Sequence, residues 1–168
     1  KENIILSFAL FLFESSIMPQ ILNHLAIIMD GNRRWASNLG IDIVKGHRRG
    51  ADTLINISQI AFDQKIEWLT VFAFSSENWQ RPRAEVRGLL ELMKRFVTAQ
   101  SEELIDNNIR LRVVGRRDRF SSELQQSITD VELRSSLNTG LNLTVALEYG
   151  GKQDIAAAAA QIAYEVET

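Results

Sequence analysis

Four short apolar runs, separated by stretches with helical spacing, constrain this chain more than any other feature. The runs Leu25–Met29, Trp68–Phe74, Ile109–Val114 and Leu141–Leu147 are rich in Val, Ile, Leu or Phe. Runs this short and this continuously apolar read as strands buried on both faces. Between them, Ala51, Leu54, Ile55, Ser58, Ala61 and Phe62 form one helical stripe. Val86, Leu89, Leu90, Met93, Phe96 and Val97 form another. Residues 121–133 and 153–166 supply two more helices, the second containing an alanine run that favours helix. Strand–helix alternation of this kind predicts an α/β fold, an open and mostly parallel β-sheet flanked by helices.

In such sheets ligands gather beyond the carboxyl ends of the strands. The first strand is followed by Asp30-Gly31-Asn32-Arg33-Arg34, and the second by Ser75-Ser76-Glu77-Asn78-Trp79 and then Arg81. Gly115-Arg116-Arg117-Asp118-Arg119 follows the third, and Tyr149-Gly150-Gly151-Lys152 the fourth. Polar, glycine-bearing and mostly basic loops therefore crowd one edge. Net charge is nevertheless −2, so the chain lacks the basic excess of a nucleic-acid binder. With no cysteine and two histidines, disulfides and thiolate or histidine-rich metal sites are excluded. That usage suits a reducing cytoplasm.

Arginines beside helix starts suit phosphate, because the guanidinium fork matches two oxygens at once and free N–H groups add donors. Gly31 permits a tight turn and close backbone approach. Asp30 repels phosphate directly, but fits if Mg²⁺ lies between it and a diphosphate. Each piece alone has an ordinary structural explanation: Asp-Gly-Asn is a common turn, a lone His47 is usually structural, and Trp79 and the Val86–Val97 stripe read as core. Their convergence on one edge carries the functional reading. Haloacid-dehalogenase chemistry needs a second aspartate two positions from the first, and Ile28 and Asn32 occupy those positions. A Walker-type phosphate loop is absent too.

The segments "HLAIIMDGNRRWA", "GHRRGADTL", "LTVFAFSSENWQRPRAEV", "NIRLRVVG" and "LNLTVALEYGGKQDI" resemble, in that order, the cis-prenyltransferases, the family of undecaprenyl diphosphate synthase or isoprenyl transferase. The likeness runs from His24 to Ile155. It implies condensation of isopentenyl diphosphate onto an allylic diphosphate, typically farnesyl diphosphate, with Mg²⁺, to make a polyprenyl diphosphate lipid carrier for cell-wall glycans. It implies that Asp30 holds the metal and that Gly31, Asn32, Arg33 and Arg34 cradle the diphosphate, with Trp35 beside them. It further implies that His47 acts near the same diphosphate. Ser75, Ser76, Glu77, Asn78, Trp79 and Arg81 would orient substrates, with Asn78 also aiding proton loss. The helical stripes would wall a tunnel for the growing chain.

Three positions depart from the family pattern. Ile43 stands where an arginine is common, with Lys45 nearby, Glu148 where bacterial members often carry asparagine, and Lys152 where arginine is usual. Family members also continue beyond the point matching Thr168, with a segment that binds isopentenyl diphosphate, completes the Mg²⁺ site and contributes to a homodimer. The expected organisation is thus an atypical N-terminal extension, 1–20, and a partial catalytic domain, 21–168, that keeps the allylic half-site and turns over little by itself. Within the extension, "IILSFALFLF" at 4–13 is shorter than the roughly 20 residues a membrane span needs. It lacks a signal-type cleavage pattern. A true start at Met18 and an interfacial segment remain open. The expected location is the cytoplasm, with peripheral association at the inner face of the plasma membrane. The alternative function is a non-catalytic partner subunit with the same fold; such subunits typically lose the metal aspartate, which Asp30 retains here.

Overall fold

The computed structural model describes residues 22–167. The apolar run at 4–13 and the extension it belongs to lie outside them. Four strands, β1 (His24–Ile28), β2 (Trp68–Ser75), β3 (Arg110–Val114) and β4 (Asn142–Tyr149), form one parallel sheet in the order β1-β2-β4-β3. Each observed strand lies within two residues of its apolar run. The helices are α1 (Asn32–Asn38), α2 (Ile43–Asp63), α3 (Arg83–Arg95), α4 (Ser101–Asp106), α5 (Ser122–Arg134) and α6 (Gly151–Glu167). A 3₁₀ turn, Ser76–Gln80, precedes α3, and a π-turn, Phe96–Gln100, joins α3 to α4.

Burial on both faces holds for the end of β4, where Val145, Ala146, Leu147 and Glu148 are all buried, and not for β1 and β3. Leu69 and Val71 of β2, Leu111 and Val113 of β3, and Leu143, Val145 and Leu147 of β4 are buried. They pack with Leu54, Ile57, Leu89, Phe96, Val97, Leu104, Leu124 and Ile128 from the helices in one core. Side chains alternate along a strand, and several opposite positions are open, although Ala146 and Glu148 of β4 are buried there. Ile28 is 74% exposed, Trp68 40% and Val114 39%. Helix α6 is exposed over residues 151–166. Burial of 4–8-residue apolar runs on a second face is what their composition suggests, but the runs His24–Ile28 and Arg110–Val114 alternate instead.

The free edge of β3 is capped by α5. The Leu111 amide donates to Ser135 Oγ at 3.0 Å and the Val113 amide to Glu132 Oε1 at 2.8 Å. Arg117 donates to the Val113 carbonyl at 2.7 Å and to Glu132 at 2.8 and 3.0 Å. Side chains thus satisfy a strand edge that would otherwise invite pairing.

The short helix α1 is held by α2. Asp42 caps α2 by accepting from the Val44 amide at 2.7 Å. One turn on, Gly46 and Gly50 form a flat strip. A Cβ at Gly46 would lie 2.5 Å from the Asn32 carbonyl and 2.9 Å from Ala36 Cβ. At Gly50 it would lie 2.6 Å from the Asn32 side-chain nitrogen. The glycines of the "GHRRGA" segment thus let α1 lie directly on α2.

Candidate diphosphate site

β1 ends at Ile28, and the chain turns through Asp30 and Gly31 into α1. Gly31 sits at φ 89°, a left-handed conformation that favours glycine, with open space where a Cβ would project. The turn presents Asp30 to solvent, its side chain 78% exposed. One carboxylate oxygen accepts the Gly31 amide at 2.5 Å and the other accepts Arg34 Nη2 at 3.1 Å. Both oxygens keep lone pairs, so a divalent cation shared with a phosphate can be accommodated. Among the described residues there is no group of three metal-ligating side chains. The donor set therefore fits a metal held by one carboxylate plus ligand oxygens, as Mg²⁺ commonly is, and not a closed protein cage.

β2 ends at Ser75 and enters the 3₁₀ turn. The Ser75 amide donates to Asn78 Oδ1 at 3.1 Å, fixing the Asn78 side chain and leaving its NH₂ end for a ligand. Asp30, Asn32, His47, Ser75, Asn78 and Arg81 all line one cavity. The rest of its wall is apolar and includes Ala51, Leu54, Leu89, Met93, Phe96, Val97, Val113, Val145 and Leu147. The empty volume is about 1130 Å³, counting the open mouth. One polar end leading into an oily channel suits an anionic head on a hydrocarbon tail.

Several expected residues lie elsewhere. Arg33 and Arg34, adjacent on α1, diverge: Arg34 pairs with Asp30, while Arg33 Nη1 approaches Glu85 Oε2 at 3.7 Å. Gly31, Trp35, Ser76 and Glu77 flank the cavity lining without being part of it. Trp79 also lies outside the lining. It packs edge-on against Phe74 at 5.5 Å and beside Phe120 at 6.4 Å, with Arg119 over its ring at 4.2 Å. It ties the second loop to the loop after β3. Glu85, which sequence reasoning left without a role, is buried at the site and contacts His47, Arg81 and Arg33. Its signal was a carboxylate next to Val86 at the start of an apolar stripe, four residues after Arg81.

Glu148, at the carboxyl end of β4, is also buried, at 2% exposure and φ 49°. Its Oε1 accepts Arg119 Nη1 at 3.3 Å, while Oε2 is buried without a hydrogen bond. Asparagine tolerates this backbone conformation better than most side chains, glutamate included. Burial raises the Glu148 pKa above the ordinary carboxylate value, with Arg119 opposing. A carboxyl group that holds its proton more tightly when folded contributes stability that fades as pH rises through that raised value. Glu148→Gln is therefore expected to raise the melting temperature at pH 7 by about 2–4 °C, roughly 1 kcal/mol. The gain should shrink in acid, and scanning calorimetry across pH measures it. A lower melting temperature at pH 7 would mean that the Arg119 pairing outweighs the burial.

Together, an open parallel sheet, cations and one carboxylate at the strand tips, and an apolar cavity wall behind them define the site whose family the comparisons identify. A family model described as "Putative undecaprenyl diphosphate synthase" matches residues 28–168. The chain belongs to that prenyltransferase family, the cis-prenyltransferases. It is 45% identical over 144 residues to ditrans,polycis-undecaprenyl-diphosphate synthase ((2E,6E)-farnesyl-diphosphate specific) of Pseudomonas syringae, covering 86% of this chain and 57% of the relative. It is 43% identical over 136 residues to the isoprenyl transferase of Aquifex pyrophilus, covering 81% and 59%. The crystal structure of lavandulyl diphosphate synthase from Lavandula x intermedia, in complex with dimethylallyl diphosphate, superposes with a TM-score of 0.83 at 35% identity, covering 86% of this chain and 62% of that one. The chain thus spans under two-thirds of the length of these relatives. Among the described residues, no helix is long and apolar enough to cross a membrane.

Proposed function

We propose that the protein is a Mg²⁺-dependent cis-prenyltransferase that condenses isopentenyl diphosphate onto an allylic diphosphate, farnesyl diphosphate, to build a polyprenyl diphosphate lipid carrier. Residues 21–168 form part of its catalytic domain and carry the allylic half-site. The observation that supports this most directly is the continuity of the cavity, from Asp30, Asn32, His47, Ser75, Asn78 and Arg81 into the apolar channel. A hydrolase acting on small phosphate esters has no use for that channel.

In the reaction, the bond between C1 and oxygen of the allylic substrate breaks and its electron pair leaves with the diphosphate. The isopentenyl double bond attacks C1, and a proton is then lost from the new unit. The residues on hand serve the first event best. Arg34, Arg33 and Arg81 offset charge gathering on the departing diphosphate, and their prior placement avoids reorganisation at that moment. Asp30 would hold Mg²⁺, which when bound stabilises the same charge. Asn78 orients the isopentenyl unit as it loses its proton. The channel takes up the tail and excludes water.

The full-length form would act as a homodimer in the cytoplasm, meeting the inner face of the plasma membrane through its product. The test is incorporation of radiolabelled isopentenyl diphosphate into solvent-extractable product, with farnesyl diphosphate and Mg²⁺, alongside calorimetric binding of farnesyl diphosphate to this chain. Saturable, Mg²⁺-strengthened binding is expected of the chain itself. Farnesyl diphosphate binding no tighter than inorganic pyrophosphate would remove the case for the channel. A chain extended to its relatives' length that binds both substrates but forms no product would point to a partner subunit instead.

A further inference from the structure

Three basic side chains from three separate elements meet at one carboxylate. Glu85 Oε1 accepts Arg81 Nη1 at 2.9 Å and lies 3.3 Å from His47 Nε2, while Oε2 lies 3.7 Å from Arg33 Nη1. Arg81 follows the 3₁₀ turn, His47 is on α2 and Arg33 on α1. The Glu85 side chain is 5% exposed, and Oε2 is buried without a hydrogen bond of its own. The contact to Arg33 is an ion pair too long to be one.

Burying a carboxylate is costly, and an apolar side chain of similar volume commonly serves stability as well or better. Glu85 shares its stripe with Val86 and Leu89, both buried and apolar. Stability alone therefore gives no reason for a carboxylate there. Its position does. Without it, Arg33, Arg81 and His47, two of which line the cavity, would have no shared partner to draw them together.

A carboxylate can only accept hydrogen bonds, so His47 Nε2 must carry the proton in the contact they share. In a neutral ring Nδ1 is then a lone pair. Burial lowers the His47 pKa from the ordinary histidine value, Glu85 opposes that by hydrogen bond and charge, and Arg81 and Arg33 reinforce it. These three groups, from α3, the second loop and α1, are the charges that face the ring.

We propose that Glu85 is the positioning residue of the cationic wall: it gathers Arg33, His47 and Arg81 into one cluster before substrate arrives and fixes His47 as its Nε2–H tautomer. The inference rests on the diphosphate reading of the site above. Glu85 touches no substrate in this role. It acts through the three side chains that do.

The two histidines of the chain make the test direct, because His24, bonded to Thr70 at 2.8 Å, serves as an internal reference. The ring nitrogens are followed by ¹⁵N NMR in wild type and in Glu85→Gln, and farnesyl diphosphate binding with Mg²⁺ is measured by calorimetry on the same samples. In Glu85→Gln the His47 midpoint should move to lower pH, since burial, Arg81 and Arg33 then act on its charge with no carboxylate opposing them. The His24 ring signals should be those of wild type, and farnesyl diphosphate affinity should fall about 10-fold or more, as displaced binding groups generally cost. A His47 midpoint and tautomer unchanged by the substitution would overturn the proposal, as would unchanged affinity. If Glu85→Gln does not fold, Glu85→Asp decides: the charge retreats by one methylene, and His47 signals identical to wild type would overturn the proposal. Failure of the wild-type chain to bind farnesyl diphosphate counts against the functional reading, while the His47 comparison still tests the cluster.

Discussion

In a chain extended to its relatives' length, replacing Asp30 with alanine is expected to lower prenyl transfer by about 100- to 1000-fold, the scale on which removal of a charge-stabilising group at a reacting centre is felt. Asp30 is the one acidic residue among the side chains lining the described cavity. Its two oxygens are already oriented, one by the Gly31 amide and one by Arg34. Alanine removes the one carboxylate among the described residues lining the cavity and frees Arg34 from its partner at once. Asp30→Asn separates the two effects, since the amide keeps the size and an acceptor oxygen while losing the charge. If the charge matters, both variants lose rate similarly and both lose their response to Mg²⁺. The measurement is radiolabel incorporation across a Mg²⁺ series, supported by calorimetric binding of farnesyl diphosphate. Retention of the wild-type rate and Mg²⁺ response in either variant would sink the role assigned to this residue.

Replacing Gly46 with valine should do its damage through the fold. The new Cβ meets the Asn32 backbone carbonyl, which cannot swing aside as a side chain tip can, and also Ala36 Cβ. Overpacking at a close helix contact costs on the order of 3 kcal/mol. For a domain of this size that corresponds to a melting temperature lower by about 6–12 °C. Because α1 carries Asn32, Arg33 and Arg34, farnesyl diphosphate binding should fall with it. Gly50→Ala provides the contrast. Its Cβ meets only the Asn32 side chain, so the stability loss should be small while Asn32, a cavity-lining residue, is pushed aside. Calorimetric melting and binding on both variants distinguish the cases. Equal stability losses would show that α1 does not depend on a flat strip along α2.

The strands were legible because their apolar runs are short and separated by helical spacing, and all four lie where those runs predict. Which face would be covered was not legible. Leu25–Met29 reads as uniformly apolar, yet Ile28 points to the open side. Helix α1 was hidden for a different reason. A seven-residue helix, Asn32–Asn38, is too short to be stable alone, and its support comes from Gly46 and Gly50 on the next helix. Read as a loop, "NRR" offers both arginines to one ligand. As a helix it turns them about 100° apart, one to Asp30 and one to Glu85. Trp79 was legible as an aromatic near the site, but its partners, Phe120 and Arg119, come from the loop after β3, which spacing in the second loop cannot reveal. Glu85 was overlooked because an acidic residue in the first turn of a helix is ordinary, and its burial depends on three elements meeting around it.

Leu54, Leu89, Phe96, Val97, Val113, Val145 and Leu147 belong to the main core and also line the channel. The same side chains therefore carry two obligations. Carving more room for a longer guest removes atoms that hold the sheet to its helices, so capacity and robustness draw on one stock of packing. A bound polyprenyl tail would restore those lost contacts from the inside, and each unit added during synthesis would leave its host harder to melt.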